Sequence, residues 1–291
     1  MDFVELQIFK AVAELGGITK AAAALHRVQS NVTTRVKQLE ERVGAKLFHR
    51  KGRRLILSSE GKVLLAYAER MLRLSDEARA ALKGNAPQGV FRIGSLESTA
   101  ATRLPPILSR FHLRYPAVRL EMLTGTSGAL VGKVLNEEVE AAFVAEPFSA
   151  DGLETELAFT EELVLITPRS YPRSIKSPRD IGPSTVLAFT TGCSYRRRLE
   201  AWLGRYNVCP ERVMEYGSYH AIVACAAAGS GVAVVPRSVL RTVGAEAQVA
   251  VHALPASVAS AKTLLVWRKG HQSSALDALK QEIARRKQGQ D

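Results

Sequence analysis

Cysteine is scarce: Cys193, Cys209 and Cys225 are the only three in 291 residues. They form no C-x-x-C pair and leave an odd thiol, which argues against a disulfide framework and for a reducing cytoplasm. Long apolar runs are missing as well. None reaches the roughly 18 residues of a membrane span, and the nearest, Ala221 to Pro236, is broken by Gly229, Ser230 and Gly231. The first fifteen residues alternate acids and apolars without the basic and hydrophobic stretches of a signal peptide. The chain therefore reads as cytoplasmic, with no membrane partner. Aromatics make up only 6%, but 46% hydrophobic residues and a mean hydropathy of -0.02 exclude a largely disordered chain. Its length predicts two or three domains.

The marks of catalysis are absent too. The six histidines are scattered, without H-E-x-x-H or a Cys/His cluster, and no G-x-S-x-G elbow occurs. Gly229-Ser230-Gly231 is not a dinucleotide fingerprint. No catalytic residue, metal site or cofactor is expected, and the chain does not read as an enzyme. His220 beside Tyr219 is the best lone candidate for a base, and reads better as a ligand contact or a turn residue. Cys193 raises thiol-based sensing; the alternative is a small packing residue.

Acids are in deficit: 28 Asp/Glu against 40 Lys/Arg, a net charge of +12. That excess suggests a polyanionic partner, nucleic acid or an acidic membrane surface. Residues 1–88 hold 16 basic and 9 acidic side chains, and 27–54 alone hold 9 and 2. A solvated helix face mixes both signs, so the local footprint favours a nucleic-acid-binding module.

The N-terminal pattern supports this. Phe3, Leu6, Ile8, Phe9, Val12 and Leu15 recur at helical spacing up to Gly16-Gly17. Thr19 can cap a short alanine-rich helix, Lys20 to Leu25. A third helix, from about Gln29 to Arg42, has Val32, Val36, Leu39 and Val43 as one buried stripe. Its other face presents Gln29, Ser30, Asn31, Thr33, Thr34, Arg35 and Lys37, groups that can bond base edges and phosphates in a major groove. This is a helix-turn-helix pattern; the alternative is an ordinary three-helix packing unit. Arg50, Lys51, Gly52, Arg53 and Arg54 would form the tip of a β-hairpin wing, with Arg50, Arg53 and Arg54 on phosphate or minor groove. Ser58 or Ser59 caps a helix to about Lys83, where Leu64, Ala68, Met71, Ser75, Ala78 and Leu82 make a heptad seam. We read it as a dimerisation helix; packing on its own domain is the alternative.

These residues resemble the DNA-binding half of a LysR-type transcriptional regulator. The resemblance rests on Phe3, Leu6, Phe9, Val12 and Ala13, then Gly17, Ala22-Ala23, Leu25 and Gln29-Ser30. It continues through Val32, Leu39-Glu40, Gly44, Leu47-Phe48, Arg50, Leu57 and Gly61.

From Val90 the texture becomes apolar runs alternating with helical segments, with strands at Val90 to Ile93, Val118 to Leu123, Val139 to Val144 and Leu163 to Thr167. Val186 to Phe189, Val213 to Tyr216, Val232 to Val235 and Leu264 to Trp267 continue the series. The alternation predicts an α/β domain with a largely parallel sheet. Helices are expected from about Thr102 to Tyr115 and from Gly125-Thr126-Ser127 towards Asn136, and the tail from Ala284 to Gln288 is expected to be disordered. Ligands of such sheets bind beyond strand carboxyl ends. There stand Ser95, Ser98 and Thr99; Thr126 and Ser127; Thr190, Thr191, Cys193 and Ser194; and Ser218, Tyr219 and His220. Hydroxyls and helix-start N–H groups favour an anionic group such as a carboxylate; simple N-capping is the alternative.

This region is similar to the two-lobed effector domain of the same family, which resembles periplasmic solute-binding proteins. The matches are Arg92-Ile93-Gly94, Leu104-Pro105-Pro106, Phe111, Tyr115-Pro116, Leu135, Ala141 and the run Ala227 to Pro236. The resemblance implies an inter-lobe cleft lined by Ser98, Ser127 and the Thr190–Ser194 and Ser218–His220 turns. Ala145-Glu146 stands where some relatives carry a basic residue. This argues against a dianionic effector and leaves an amine or amino acid beside a carboxylate, with Arg196, Arg197 and Arg198 as possible compensation.

The expected organisation is a winged helix-turn-helix DNA-binding domain (1–58), a linker and dimerisation helix (59–88) and an effector-binding domain (89–291). The last comprises two α/β lobes, 89–163 plus 267–291 and 164–266. The expected function is sequence-specific regulation of transcription through double-stranded DNA, controlled by a small organic effector. The resemblance implies a homo-oligomer, a tetramer. A solute-binding or enzymatic α/β protein with an accessory basic head is the alternative.

Overall fold

A computed structural model describes residues 1–51, 54–82, 86–171, 175, 177–181 and 184–287. The chain divides into two compact units, Met1–Asn85 and Ala86–Asp291. Among the described residues, no helix is long and apolar enough to cross a membrane, and no three His, Cys, Asp or Glu side chains gather as metal ligands.

The first unit packs α1 (Phe3–Leu15), α2 (Ile18–Ala24) and α3 (Gln29–Val43). The hairpin β1 (Phe48–Lys51) and β2 (Arg54–Leu57) and the long α4 (Ser59–Leu82) complete it. Asp2 and Glu5 form a reciprocal capping box on α1, and Gly16 and Gly44 end α1 and α3 in the left-handed region. Ile8, Val12, Ala21, Ala22, Val32 and Val36 make one buried cluster. Leu6, Phe9, Leu39, Leu47 and Ala68 make a second, which ties α1, α3, the start of the hairpin and α4 together. Two readings change and one choice between residues resolves. Helix α2 starts at Ile18 behind an extended Gly17, so Thr19 lies inside it and caps nothing. Val43, the last residue of α3, is exposed, while Val32, Val36 and Leu39 are buried. Ser58 caps α4, its Oγ accepting the Gly61 N–H at 2.8 Å.

Gly61 is fixed by proximity. A Cβ there would stand 2.2 Å from the Leu47 carbonyl oxygen, so any side chain would push α4 off the base of the hairpin.

The second unit has two sheets that share a strand. Its first part runs β3 (Gly89–Ser95), α5 (Glu97–Thr102), α6 (Leu104–Arg114), β4 (Val118–Thr124), α7 (Ser127–Leu135) and β5 (Ala141–Ala145). The 16-residue β6 (Leu153–Pro168) follows. Next come β7 (Thr185–Phe189), α8 (Ser194–Gly204), β8 (Arg212–Tyr216), α9 (Tyr219–Ala227), β9 (Ala233–Pro236) and α10 (Arg237–Thr242). The chain closes with β10 (Val249–Ala253), α11 (Ala256–Ala259), β11 (Ser260–Arg268) and α12 (Ser274–Lys287). The first lobe orders its sheet β4-β3-β5-β11-β6, with β6 pairing through residues 153–162. The second lobe takes residues 163–168 of β6 between β9 and β10. There β9 meets β7 through a parallel bridge, Val186 to Val232, and β7 pairs with β8.

The sheets are mixed, not largely parallel. β3-β4, β3-β5 and β7-β8 are parallel, whereas β6, β9, β10 and β11 pair antiparallel. The return strands cross between lobes and so run against the βαβ units. Gly231 makes the β7–β9 approach possible, because its φ is +159° and a Cβ would lie 2.3 Å from the Thr185 carbonyl oxygen. The helix expected from about Thr102 to Tyr115 is α6, and the short α5 ahead of it was not anticipated. Residues 284–287 of the basic tail are helical, with Arg285 on Glu282 at 3.2 Å and Arg286 5.3 Å from the Phe159 ring centroid; Gln288 lies outside the described residues.

Candidate functional site

On the first unit, α3 presents a polar row. Ser30, Thr34 and Lys37, at i, i+4 and i+7, are exposed, as is Gln29 at its start. Two of the other predicted contacts on α3 are engaged at home. Thr33 donates to the Gln29 carbonyl at 2.9 Å. Arg35 pairs with Asp2 at 3.7 Å and with the buried Glu5 at 3.8 Å. Asn31 is half-buried, with its Oδ1 enclosed. Arg27, exposed in the turn before α3, escaped the site prediction because no periodicity reaches a turn. In the hairpin Arg50 is exposed and pairs across the strands with Leu55. Arg54 opens β2 opposite Lys51; Arg53 lies outside the described residues.

Glu40 fixes the hairpin to α3. Its side chain accepts from Lys46 Nζ at 2.8 Å and from the Leu47 and Phe48 N–H groups at 2.9 and 3.4 Å. Burial pushes this carboxyl up, but the ammonium and the two amides outweigh it and hold the pKa below the ordinary 4.5. A depressed carboxyl pKa means stability that is present above the unfolded value and lost as pH falls through the folded one. Acidifying the full chain below pH about 4.5 should therefore weaken the head, read as loss of helical signal at fixed urea. Glu40→Gln should flatten that part of the profile; an unchanged acid limb would show that Glu40 contributes nothing to it.

On the second unit, a narrow cleft lies between the lobes, lined among others by Leu96, Ser98, Thr126, Cys193, Ser194 and Tyr219. Its free volume is about 10 Å³, room for one water. Of the predicted effector residues, Ser98, Thr126, Cys193, Ser194 and Tyr219 reach it. Ser127 sits just behind: its Oγ donates to the Ala145 carbonyl at 3.0 Å and accepts the Ala145 N–H at 3.1 Å. Ser194 Oγ lies 2.6 Å from the same carbonyl and 2.9 Å from Ser127 Oγ. These bonds lock α7, α8 and β5 together across the lobes.

The remaining candidates do not line it. Ser95 is buried and donates to the Leu96 carbonyl at 3.0 Å, and Thr99 is buried in α5. Thr190 is half-buried with its N–H on Tyr216, and Thr191 is exposed and donates to Glu215. Ser218 precedes α9 without a side-chain cap, and His220 is exposed. The basic trio faces elsewhere. Arg196 binds Glu200 and Glu215 at 2.7 and 2.6 Å, and Arg197 and Arg198 bond the Pro147 and Glu146 carbonyls at 3.2 Å each. They do not compensate for Ala145-Glu146.

Sequence reading missed Glu97, Phe189 and Tyr195 in the lining. Glu97 accepts the Tyr219 N–H across the cleft, and burial pushes its carboxyl above the usual range against the opposing pull of that amide and of His220. The Phe189 and Tyr219 rings stack with centroids 4.9 Å apart. Cys193 Sγ lies 3.6 Å from the Tyr219 hydroxyl, and neither Cys209 nor Cys225 is disulfide-bonded.

Comparison with known proteins matches residues 3–62 to the bacterial regulatory helix-turn-helix protein, lysR family, and residues 84–288 to the LysR substrate binding domain. The chain is 37% identical over 270 residues to the HTH-type transcriptional regulator GltR of Bacillus subtilis (strain 168), covering 92% of this chain and 91% of that one. It is 35% identical to the HTH-type transcriptional regulator SoxR of Arthrobacter sp. (strain TE1826), covering 92% and 91%. Among solved structures it superposes on full-length CbnR complexed with its target DNA, with a TM-score of 0.70, 23% identity and coverage of 98% and 99%. A full-length OxyR variant from Pseudomonas aeruginosa gives a TM-score of 0.72 at 22% identity, covering 97% and 94%.

Proposed function

The chain belongs to the LysR family of bacterial transcriptional regulators, and on that basis we propose that it is a cytoplasmic, sequence-specific DNA-binding regulator controlled by a small organic effector in the inter-lobe cleft. The observation that carries the DNA half is the exposed row Ser30, Thr34 and Lys37 on α3, beside a hairpin bearing exposed Arg50. Hydroxyls at helical spacing read base edges, and Lys37, Arg50, Arg53 and Arg54 bind phosphate or the minor groove. Gln29 and Asn31 extend the base-reading end of the helix. Arg35, held by two acids, orients α3 on α1.

The effector half rests on the cleft that Ser98, Thr126, Cys193, Ser194 and Tyr219 line, with Ser127 behind it. Domain roles follow residues 1–58, 59–88 and 89–291; the lobes of the last are 89–162 plus 260–291 and 163–259, not the expected 89–163 plus 267–291 and 164–266, because β11 pairs with β5 and the first ten residues of β6. Homo-oligomerisation, up to a tetramer, is supported by three exposed apolar features. Helix α4 exposes Val63, Tyr67 and Leu74, whereas the predicted seam residues Leu64, Ala68 and Met71 pack into the head itself. Two edge strands of the second unit, β4 and β8, expose Met122 and Val213 with Met214. Control requires only that the effector bind one arrangement of the subunits better than another.

The test is DNA affinity on the gene's own promoter region, with genome-wide occupancy beside it. Thr34→Ala with Ser30→Ala should weaken specific binding by about 1–3 kcal/mol while leaving random-sequence binding nearly unchanged. Lys37→Ala should weaken binding to all sequences and lower the salt slope by about 1. Occupancy that is diffuse and indifferent to both changes would sink sequence-specific recognition.

A further inference from the structure

Among the described residues, the cleft holds a single carboxylate and no cation. Glu97 is the one acidic or basic side chain in its lining; Tyr195, Tyr219 and Cys193 complete its titratable groups. Arg196 is turned away onto Glu200 and Glu215. One Glu97 oxygen, Oε2, is buried with no hydrogen-bond partner among the described residues. Half-buried, with one oxygen enclosed and unpartnered, this carboxylate has no Lys or Arg beside it in the lining and feels only the pull of His220 outside it. The burial that raises its pKa is the same imbalance.

The surrounding groups favour a cation as well. The stacked Phe189 and Tyr219 rings, with Tyr195 6.4 Å from Tyr219, give the cleft an aromatic wall. Carboxylate and aromatic faces together are the chemistry that holds an ammonium group. Several groups that would hold an anion are already engaged, which leaves the Ser98 and Tyr195 hydroxyls as the enclosed, unpartnered ones of the lining. The Tyr219 N–H at the start of α9 is taken by Glu97. The Ser127 and Ser194 hydroxyl protons are directed at the Ala145 carbonyl.

We propose that the effector carries a protonated amine, seated on Glu97 against the Phe189–Tyr219 wall, so that the ligand class is a small organic ammonium compound and not a simple carboxylate. This rests on the reading of the cleft as the effector site. The free volume of about 10 Å³ admits a headgroup the size of one water, so the remainder of the ligand enters as the lobes part.

The experiment uses the full chain with n-propylammonium, 1-butanol and butyrate as matched probes at equal ionic strength. Thermal shift and titration calorimetry read binding, and hydrogen exchange reads its place. The expected result is a melting-temperature rise with the ammonium alone, with protection at the starts of α8 and α9. Glu97→Gln keeps an acceptor for the Tyr219 N–H and should lower ammonium affinity tenfold or more. Butyrate or butanol protecting those helix starts while the ammonium does not would overturn the proposal and leave the cleft standing. Protection confined to other parts of the chain would remove both readings. An ammonium response that Glu97→Gln leaves unchanged, or no ammonium response at all, overturns the proposal.

Discussion

Arg103→Ala should destabilise the second unit by about 3–5 kcal/mol, the cost of breaking a buried ion pair from one side. Arg103, between α5 and α6, holds Glu161 with both arms of its guanidinium, Nε to Oε1 at 2.6 Å and Nη2 to Oε2 at 2.9 Å. Glu161 is 2% exposed, and Ser238 of the second lobe donates to the same carboxylate at 2.8 Å. Without the guanidinium, a buried charge keeps one hydroxyl as its company. For a unit of about 200 residues this corresponds to a fall in melting temperature on the order of 10 °C. Calorimetry of the full chain measures it, and the double variant Arg103→Met with Glu161→Leu should recover most of the loss, because an apolar pair carries no desolvation penalty. A single-variant loss under about 1 kcal/mol would mean that water takes the place of the guanidinium.

The second large effect belongs to the head. Phe9 is completely buried and packs edge-on to Phe48 at 5.5 Å, within the cluster of Leu6, Leu39, Leu47 and Ala68. Phe9→Ala should cost about 3–5 kcal/mol, from lost transfer energy plus the cavity left behind. The site gives it functional weight. Leu39 belongs to α3 and Leu47 and Phe48 begin the hairpin, so the cavity loosens both DNA-facing elements. Urea unfolding of the full chain followed by helical signal gives the energy, and promoter affinity should fall in parallel. Phe9→Leu should keep most of both, because it retains most of the volume. Affinity retained in Phe9→Ala despite the full stability loss would show that DNA itself reassembles the head.

Much of this was legible in the sequence. The buried stripes of α1 and α3, the stop at Gly44 and the hairpin follow from helical periodicity and left-handed glycines, which depend on local sequence alone. Other features depend on distant partners. The first ten residues of β6 carry Glu154, Glu156, Glu161 and Glu162, charges that hide a strand until Arg103 and Arg237 supply the other half of two ion pairs. The seam of α4 could be counted, but which stripe the head keeps for itself is decided by Phe9 and Leu39 on other helices. At the cleft, hydroxyls at strand ends predicted the place and missed the charge. Ser127 and Ser194 turn out to bond the Ala145 backbone, the latter across the lobes, and Glu97, which no motif singled out, faces the opening.

The shared strand has a mechanical consequence. Sixteen residues at about 3.3 Å each make β6 a beam some 50 Å long, clamped in one sheet over its first ten residues and in the other over its last six. A beam held in two sheets resists bending and yields to torsion. The lobes should therefore answer a ligand by rotating about the axis of β6, a twist of a few degrees that would leave every strand ladder intact. Such a twist turns the whole first sheet, and β3, through which the chain enters that sheet at Gly89, turns with it.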